Sequence, residues 1–364
     1  MEQVLLSAEN AYAELTAYIR EKNIRKPLLV CGNFIFKLPI NRYLQTLASL
    51  DIQPVRFSDF QPNPLFESVL KGAEVFRQNG CDSVIAIGGG SAIDVAKCVK
   101  LYADMPRDEI RLNAPIRPNR IPLIAIPTTA GTGSEATCFA VVYANGEKQS
   151  VADESCLPAA VVLDASALDM LPDYQRKSSM LDALCHAIEA YWSVNATSAS
   201  REYSRRAIAG IFAAKDDYLA NLPQGNISML QAANLAGQAI NIAKTTAGHA
   251  MCYKLTSLYG ISHGHAAALC VKGLWPFMAA AADKQLSAVF NEIAAIMGCT
   301  DTAEATEKFA AVLAALRLEV PEYTEAELNL LVASVNTERL KNNPVQLSPA
   351  DIGAIYRKIL RKKA

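Results

Sequence analysis

The chain's length, composition and charge exclude several classes of protein. With 364 residues, 35 basic and 36 acidic, it carries a formal net charge of -1 at pH 7, which gives no electrostatic footprint for nucleic acid. Its length predicts two domains rather than one. The 9 cysteines include no C-x-x-C pair and favour free thiols in a reducing compartment. Without a signal-peptide pattern or an apolar run of about 18 residues, we expect a cytoplasmic protein with no membrane partner.

Short β-branched runs alternate with helical patterns in the first half of the chain. Such alternation is typical of a parallel sheet whose two faces are covered by helices. The predicted strands are Pro27–Cys31, Pro54–Phe57, Ser83–Ile87, Pro122–Ile126 and Ala159–Leu163.

The chain changes in character after Leu171-Pro172-Asp173. Ala-rich helical stretches follow, such as Ile208–Leu222 and Ala303–Leu316, with hardly any strand signal. We therefore predict an α/β domain over residues 1–172 and an all-helical domain over residues 173–364. The absence of a low-complexity linker favours close packing of the two domains, with a cleft between them.

A glycine-rich turn follows the third predicted strand. It reads Gly88-Gly89-Gly90-Ser91 and continues through Asp94 into a helical pattern. Glycines let the backbone approach phosphate oxygens, and a helix N-terminus favours an anion. Such a turn alone can be no more than a tight turn, and this one does not match G-x-G-x-x-G.

A second turn of similar character follows the next predicted strand. The segment from Pro127 to Glu135 carries the hydroxyls of Thr128, Thr129 and Thr132 between glycines, and it lacks the G-K-[ST] of a P-loop. Two such turns at the carboxyl ends of strands predict the nucleotide site of an open α/β sheet.

All four histidines fall in one stretch of the second half, from His186 to His265, and Asp182 stands one helical turn before the first. The helical spacing puts Asp182 and His186 on the same face, and His249 and His263 add two imidazoles. Single histidines are often core or surface residues, but this cluster predicts a metal site. Three nitrogens and one oxygen suit Fe(II) or Zn rather than Ca or Mg. We expect His265 to point away, because it follows His263 by two residues on a helix.

These motifs resemble the iron-dependent, group III alcohol dehydrogenases, a family similar in fold to glycerol dehydrogenase and dehydroquinate synthase. The resemblance covers nearly the whole chain. It is carried, in family order and spacing, by Gly88-Gly-Gly-Ser-Ala-Ile-Asp94, Pro127-Thr-Thr-Ala-Gly-Thr-Gly-Ser-Glu135, Asp182-x3-His186, His249 and His263-Gly264.

The resemblance implies a dehydroquinate synthase-like fold, with an N-terminal α/β dinucleotide-binding domain and an all-α C-terminal metal-binding domain. It implies one divalent metal, Fe(II) or Zn, held by Asp182, His186, His249 and His263. It also implies that NADPH or NADH contacts Gly88, Gly89, Gly90, Ser91, Asp94, Thr128, Thr129 and Thr132, with Lys148 near the ribose. Family members often form homodimers or larger homo-oligomers.

Several stretches resemble one branch of this family, the phosphonoacetaldehyde reductases, which make 2-hydroxyethylphosphonate. These stretches are Asn145–Ser150, Ser179–His186, Tyr191–Asn195, Met251–Gly260 and Glu338–Pro344. This narrower resemblance implies a small anionic aldehyde as the substrate and a role in phosphonate biosynthesis.

Two neighbouring residues are candidates for catalysis and substrate binding. Many family members carry a histidine four residues after the third metal ligand, where this chain has Tyr253. A phenol can donate a proton, although its ordinary pKa of about 10 makes it a poor donor at neutral pH, and its alternative role is packing. The adjacent Lys254 is a candidate partner for a phosphonate or, alternatively, a solvated helix lysine.

The residues at the end of the first predicted strand bear on whether NADH or NADPH binds. Relatives that prefer NAD often carry an Asp there, whereas this chain reads Cys31-Gly32-Asn33-Phe34. Without that carboxylate a 2′-phosphate is not repelled, so we expect NADPH to be accepted. No Arg or Lys follows immediately to bind that phosphate.

The sequence-based hypothesis is a metal-dependent NAD(P)H oxidoreductase that reduces phosphonoacetaldehyde by hydride transfer to a polarised carbonyl. One alternative is a reductase of uncharged or other small aldehydes, such as lactaldehyde, succinic semialdehyde or a diol-derived aldehyde. A second is a dehydroquinate synthase-like lyase, in which no net nicotinamide oxidation appears. A third is a metal-holding binding protein without turnover.

Overall fold

The computed structural model describes residues 3–112, 115–144 and 147–363 of the chain. The chain divides into two units, Met1–Leu171 and Pro172–Ala364. Asn145 and Gly146, which begin the stretch Asn145–Ser150 named above, lie outside the described residues.

The first unit is built on a 6-stranded sheet in which every pairing is parallel. Its strands and helices, in chain order, are β1 (Val4–Ser7), α1 (Glu9–Glu21), β2 (Pro27–Cys31), α2 (Ile40–Thr46), β3 (Val55–Phe57), α3 (Phe66–Gln78), β4 (Ser83–Gly88), α4 (Gly90–Ala103), β5 (Leu123–Pro127), β6 (Phe139–Ala144), β7 (Glu147–Ala152) and β8 (Ala160–Leu163). The strand order across the sheet is β1-β8-β5-β4-β2-β3, and β6 pairs with β7 as a separate antiparallel hairpin. Short 3-10 helices occupy several of the connections.

Hydrophobic cores lie on both faces of this sheet. On β2, Leu28 and Val30 pack in a core that also contains side chains of α3 and α4. The alternate residue, Leu29, belongs to a second core that contains side chains of α1 and α2. Because successive side chains of a strand point to opposite faces, the two cores cover opposite sides of the sheet. The predicted fold class, a parallel sheet covered on both faces, is confirmed.

The strands predicted from the sequence are all present, with ends that differ by one residue at most. Two features were missed. Strand β1 lies at the sheet edge, where Val4 and Leu5 are exposed, so it lacks the continuous burial of the other strands. The hairpin of β6 and β7 forms a two-stranded sheet apart from the main sheet, and its first strand alternates buried with half-buried residues.

The second unit is helical apart from two very short strands. Its elements, in chain order, are α5 (Asp173–Trp192), α6 (Ser198–Leu219), α7 (Pro223–Ala243), α8 (Ala247–Tyr259), α9 (His263–Ala281), α10 (Lys284–Ile296), α11 (Thr302–Ala315), β9 (Glu322–Tyr323), α12 (Glu325–Ala333), α13 (Thr337–Leu340), α14 (Pro349–Ile359) and β10 (Arg361–Lys362). Strands β9 and β10 pair in parallel. The expectation of an all-helical second domain is confirmed with this one correction, which arises because the chain end returns beside Tyr323.

Helix α5 lies inside the second unit and packs against α6, α7 and α9. Every residue from Met180 to Trp192 is buried, so any polar side chain in this stretch is removed from water and needs a partner. Among the helices of the described residues, none is long and apolar enough to cross a membrane.

Candidate functional site

The two glycine-containing turns lie side by side in the first unit. Strands β4 and β5 are neighbours in the sheet, with Gly88 opposite Pro127 in the register. The backbone N–H of Thr128 donates to the Gly88 carbonyl at 3.0 Å. Because both turns follow the carboxyl ends of adjacent parallel strands, they meet at one edge of the sheet.

The glycines of the first turn face the threonines of the second. A Cβ atom added to Gly89 would lie 3.3 Å from Cγ2 of Thr129, and one added to Gly90 would lie 3.0 Å from Cγ2 of Thr132. Helix α4 begins at Gly90, and its N-cap residue supplies no side-chain hydrogen bond to the first turn. These backbone N–H groups suit a phosphate. The contacts of these residues and of Ser91 with a dinucleotide remain a prediction.

Asp94 uses one carboxylate oxygen to hold the second turn and the other to hold β6. It accepts a hydrogen bond from Ser134 Oγ at 2.6 Å and from the backbone N–H of Val141 at 3.0 Å. Burial raises the pKa of Asp94, while the positive charges of Lys97 and Lys148 oppose that rise. Asp94 therefore positions the second turn and β6, a role that the sequence did not reveal, and the contacts of Asp94 and Lys148 with a cofactor remain predictions.

A cation lies beside the end of β2, although the residues immediately after β2, Gly32-Asn33-Phe34, include none. Arg56 on β3 donates from Nη2 to Oδ1 of Asn33 at 2.6 Å, and its Cζ atom lies 4.5 Å from the ring centroid of Phe36. The sequence-based argument missed Arg56 because it comes from the neighbouring strand rather than from the residues after β2.

In the second unit, Asp182 is the centre of a cluster of imidazoles. It lies one turn before His186 on α5, with Oδ1 at 4.0 Å from His186 Nε2. The same Oδ1 lies 3.5 Å from Nε2 of His249, on α8. The donor atoms of Asp182, His249 and His263 all lie within 4.8 Å of one another. His186 stands outside that set of three, but its ring stacks on the His249 ring with centroids 4.4 Å apart.

The glycine after His263 allows this cluster to form. A Cβ atom on Gly264 would lie 2.1 Å from the Ser178 carbonyl oxygen and 2.6 Å from Cβ of Asp182. The start of α9 can therefore approach α5 only if this residue has no side chain. That approach places His263, the first residue of α9, beside Asp182.

The buried donor atoms of the cluster suit a divalent metal ion. Asp182 Oδ1 and His249 Nε2 are both buried, and neither makes a hydrogen bond with another described residue. Buried polar atoms without partners are costly unless a ligand satisfies them. A carboxylate and imidazole nitrogens are donors that Fe(II) and Zn accept. The assignment of the four predicted ligands itself remains a prediction.

A second buried carboxylate, Glu189, orients His249. Its Oε2 contacts His249 Nδ1, and its Oε1 accepts hydrogen bonds from the His249 backbone N–H at 3.2 Å and from Thr246 Oγ1 at 2.9 Å. The Trp192 indole N–H in turn donates to Thr246 Oγ1 at 2.9 Å. The contact between Glu189 and His249 keeps the ring proton of His249 on Nδ1, so that Nε2 presents its lone pair to the cluster.

The charges of the cluster shift the ionisation of its members. Burial would raise the pKa of Asp182, but the surrounding imidazoles outweigh it and hold that pKa well below its usual range. Burial would lower the pKa of His249, but Glu189 and Asp182 together raise it to about 9. In the absence of a metal, the cluster therefore favours an ionised carboxylate beside a protonated imidazole.

Tyr253 lies against the cluster. Its ring is nearly parallel to the ring of His263, with centroids 5.4 Å apart, and the Cζ atom of Arg339 lies 5.1 Å from the Tyr253 ring centroid. Burial raises the pKa of the Tyr253 phenol, and the charge of Arg339 opposes that rise. The structure thus brings Tyr253 to the predicted ligands.

Lys254 and His265 are not placed against the cluster in the way that Tyr253 is. Lys254 is half-buried on α8, one residue beyond Tyr253. Within the described chain, its side chain makes no hydrogen bond or ion pair with a member of the cluster. His265 Nδ1 lies 3.2 Å from the Tyr174 hydroxyl, and His265 is not among the metal-binding group identified by donor distances.

The sequence-based argument missed two residues of this region. Glu189 stands on the same helix face as Asp182 and His186, seven residues after the first, so its helical register was a usable signal. Arg339 is far from the cluster in sequence and gave no such signal, although it lies in one of the stretches that resemble phosphonoacetaldehyde reductases.

Comparisons with known proteins agree in both units. A family profile described as iron-containing alcohol dehydrogenase matches residues 3–165, and the C-terminal profile of the same family matches residues 177–360. Alcohol dehydrogenase 4 of Schizosaccharomyces pombe is 31% identical over 320 residues, covering 82% of this chain and 72% of that protein. Aldehyde-alcohol dehydrogenase 2 of Entamoeba histolytica is 31% identical over 332 residues, which cover 80% of this chain but only 37% of that protein.

Among solved structures, sulfoacetaldehyde reductase from Bifidobacterium kashiwanohense in complex with NAD+ superimposes with a TM-score of 0.91. The two chains are 25% identical, and the match covers 98% of this chain and 96% of that one.

Proposed function

The chain belongs to the iron-containing alcohol dehydrogenase family, and we propose that it reduces phosphonoacetaldehyde to 2-hydroxyethylphosphonate with NADPH or NADH. Its relatives are alcohol dehydrogenases, and this membership makes the chain an oxidoreductase. The observation that carries the proposal is the cluster of Asp182, His249 and His263, with the His186 ring stacked on His249 and an arginine packed against the neighbouring Tyr253. A carbonyl and an anionic group on one small molecule suit these two features.

The metal part of the proposal assigns Asp182, His186, His249 and His263 to one divalent ion, Fe(II) or Zn. When bound, such an ion supplies Lewis-acid polarisation of the aldehyde oxygen, and the nicotinamide supplies the hydride. The protein's own contribution is to keep Asp182 ionised and to fix the ring proton of His249 at Nδ1 through Glu189. Burial of α5 also keeps water away from these groups.

The cofactor part of the proposal places the nicotinamide dinucleotide on the first unit. Gly88 to Ser91 and the threonines of the second turn would hold its pyrophosphate, with Lys148 near the ribose. This rests on the two turns meeting at adjacent strand ends. Arg56 beside Asn33 supports acceptance of NADPH, because a guanidinium can bind the 2′-phosphate.

Tyr253 is the proposed proton donor. Burial raises the pKa of its phenol, so Tyr253 is protonated at neutral pH and is a weaker acid than a free tyrosine. It can still give that proton to the more basic oxygen that hydride transfer leaves on the substrate. Packing against His263 is its alternative role.

A second candidate substrate is sulfoacetaldehyde. The structural neighbour from Bifidobacterium kashiwanohense is a sulfoacetaldehyde reductase, and a sulfonate presents oxygens in a tetrahedral arrangement similar to that of a phosphonate. Reduction of small aldehydes without an anionic group is the remaining alternative within the family.

The test is a reaction followed by both cofactor and product. Enzyme loaded anaerobically with Fe(II) or with Zn is mixed with phosphonoacetaldehyde and NADPH or NADH. We expect one nicotinamide to be oxidised for each 2-hydroxyethylphosphonate that appears in the phosphorus NMR spectrum. Consumption of phosphonoacetaldehyde without net nicotinamide oxidation, and with a product other than 2-hydroxyethylphosphonate, would indicate a lyase. Failure to form 2-hydroxyethylphosphonate, with rapid reduction of sulfoacetaldehyde or of propanal, would overturn the phosphonate substrate in favour of the corresponding alternative.

A further inference from the structure

Arg339 is a cation separated from the metal cluster by a single aromatic ring. Its Cζ atom lies 5.1 Å from the Tyr253 ring centroid, and the Tyr253 ring lies 5.4 Å from that of His263, inclined by 13°. The sum of these two separations is the largest possible distance from the guanidinium carbon to the His263 ring centroid. A short molecule bound at the cluster is long enough to span this separation if it passes beside the Tyr253 ring.

Arg339 is held in this place by the surrounding chain. Its Nη1 donates to Thr245 Oγ1 at 3.1 Å, and its backbone N–H donates to Asn336 Oδ1 at 3.1 Å, which caps α13. Asn342 then donates from Nδ2 to the Thr245 carbonyl at 3.1 Å. These bonds tie the α13 segment to the start of α8, the helix that carries His249 and Tyr253. The guanidinium is thus positioned rather than freely extended into solvent.

The charge of Arg339 has no carboxylate partner. Within the described residues, no Asp or Glu oxygen lies within 4.0 Å of its guanidinium nitrogens, and the adjacent Glu338 pairs instead with Lys341 at 2.7 Å. The side chain is half-buried and uses one N–H group on a neutral hydroxyl. A planar guanidinium has further N–H donors in a fork that matches an oxyanion, so an anionic ligand would satisfy both its charge and its free donors.

We infer that Arg339 binds the terminal oxyanion of the substrate, a phosphonate or a sulfonate, while the aldehyde end lies at the metal cluster. The inference rests on the proposed function and names the residue that selects an anionic aldehyde. It replaces Lys254, the candidate from the sequence. Lys254 follows Tyr253 by one residue, which turns it about 100° around α8, and among the described residues its side chain makes no hydrogen bond or ion pair with the cluster.

The inference is tested with three variants of the metal-loaded enzyme: Arg339→Gln, Arg339→Lys and Lys341→Gln. Lys341 is the matched control, because it is an exposed cation two residues away that pairs with Glu338. For each protein, kcat and KM are measured with phosphonoacetaldehyde, sulfoacetaldehyde and propanal. The affinity for 2-hydroxyethylphosphonate is measured by calorimetry, which does not depend on turnover.

We expect Arg339→Gln to lower the kcat/KM ratio of the preferred anionic aldehyde to propanal by about 100-fold, mainly through KM, because charge-assisted and bidentate hydrogen bonds are lost. Arg339→Lys keeps the charge but not the fork, so its ratio should fall by about 10-fold. The affinity for the product phosphonate should fall in the same order, and Lys341→Gln should match the wild type. A comparison of kcat/KM for the two anionic aldehydes shows whether the substrate's oxyanion is a phosphonate or a sulfonate.

Three outcomes would overturn the inference. If the wild type prefers an anionic aldehyde and Arg339→Gln keeps that preference, the proposed function stands and Arg339 is not the anion site. If Arg339→Gln lowers the rates with propanal and the anionic aldehydes equally, Arg339 only supports Tyr253. If the wild type shows no preference for either anionic aldehyde, the proposed function fails and the inference fails with it. Should Arg339→Gln not fold, a wild-type ratio in Arg339→Lys is the overturning result.

Discussion

The carboxylate of Glu189 contacts the Nδ1 atom of His249 inside the helical unit. Glu189 has 0% relative exposure and also accepts two further hydrogen bonds, from the His249 backbone and from Thr246. Such a carboxylate behind an imidazole ligand fixes the ring and makes its other nitrogen more basic. The proposed metal site would therefore depend on a residue that is not among its proposed ligands.

The first prediction concerns Glu189→Gln. The amide keeps the shape and one acceptor oxygen but removes the negative charge behind His249, so metal affinity should fall by about 10- to 100-fold. The measurement is a competition titration with Zn at fixed pH. Glu202→Gln is the matched control, because Glu202 is exposed and pairs with Arg205. Equal affinities in the wild type and Glu189→Gln would show that His249 is not a ligand or does not need this support.

The second prediction concerns His263→Ala. Removing one of the proposed ligands should reduce the metal content of the purified protein from one ion per chain to near zero, since a site with three protein ligands left binds far more weakly. The measurement is elemental analysis after dialysis. His265→Asn is the control, because His265 contacts Tyr174 rather than the cluster, and it should retain its metal. A full complement of metal and full activity in His263→Ala would remove His263 from the site.

The third prediction concerns Arg56→Gln. If Arg56 binds the 2′-phosphate beside Asn33, the KM for NADPH should rise by about 10-fold while the KM for NADH changes little, since one charge-assisted interaction is lost. Lys71→Gln serves as the control for loss of a nearby exposed charge, because Lys71 pairs with Asp59. A parallel rise for both nucleotides would indicate that Arg56 supports the fold rather than the 2′-phosphate.

The fourth prediction concerns Lys97, which is buried in the first unit beneath the second turn. Its Nζ donates to Ser134 Oγ at 3.2 Å, Thr137 Oγ1 at 3.0 Å and the Phe139 carbonyl at 2.7 Å. Lys97→Met would leave these acceptors and the nearby Asp94 without their cation, at a cost of about 3 kcal/mol in the free energy of unfolding. Urea denaturation measures the loss, with Lys71→Met as an exposed control.

Lys97→Met also tests how the contribution of Lys97 to the free energy of unfolding changes with pH. Burial lowers the pKa of Lys97 in the folded state, with Asp94 opposing that effect, whereas the unfolded chain keeps the ordinary value of about 10.4. Between the two pKa values the unfolded state binds more protons, so the contribution of Lys97 to stability rises with pH in that window. The difference in unfolding free energy between the wild type and Lys97→Met should therefore widen as pH rises towards about 10. A difference that narrows over this range would contradict the assignment.

Much of the fold could be predicted because its signals are local. The buried strands appear as short apolar runs, and two turns at the carboxyl ends of parallel strands indicated one edge of the sheet, where β4 and β5 lie side by side. Asp182 and His186 share a helix face by their spacing alone. The β6–β7 hairpin was not predicted, because it lies outside the six-stranded sheet and its first strand is only partly buried.

The rest of the site depends on contacts between distant segments. Glu189 lies in helical register with His186, but its role depends on how α8 packs against α5. Arg56 reaches Asn33 from a neighbouring strand, and Arg339 reaches Tyr253 from a segment near the end of the chain. Lys254 seemed the better cation in the sequence only because it is adjacent to Tyr253, and adjacency on a helix turns a side chain about 100° away.

The most direct test of the account is the kcat/KM of the Fe(II)-loaded wild-type enzyme for phosphonoacetaldehyde, compared with that for propanal at saturating NADPH. An enzyme that recognises both the carbonyl and the oxyanion should prefer phosphonoacetaldehyde by more than about 100-fold, or roughly 2.7 kcal/mol of transition-state discrimination. Equal values for the two aldehydes would contradict recognition of the anion, and the family assignment would then stand without the phosphonate substrate.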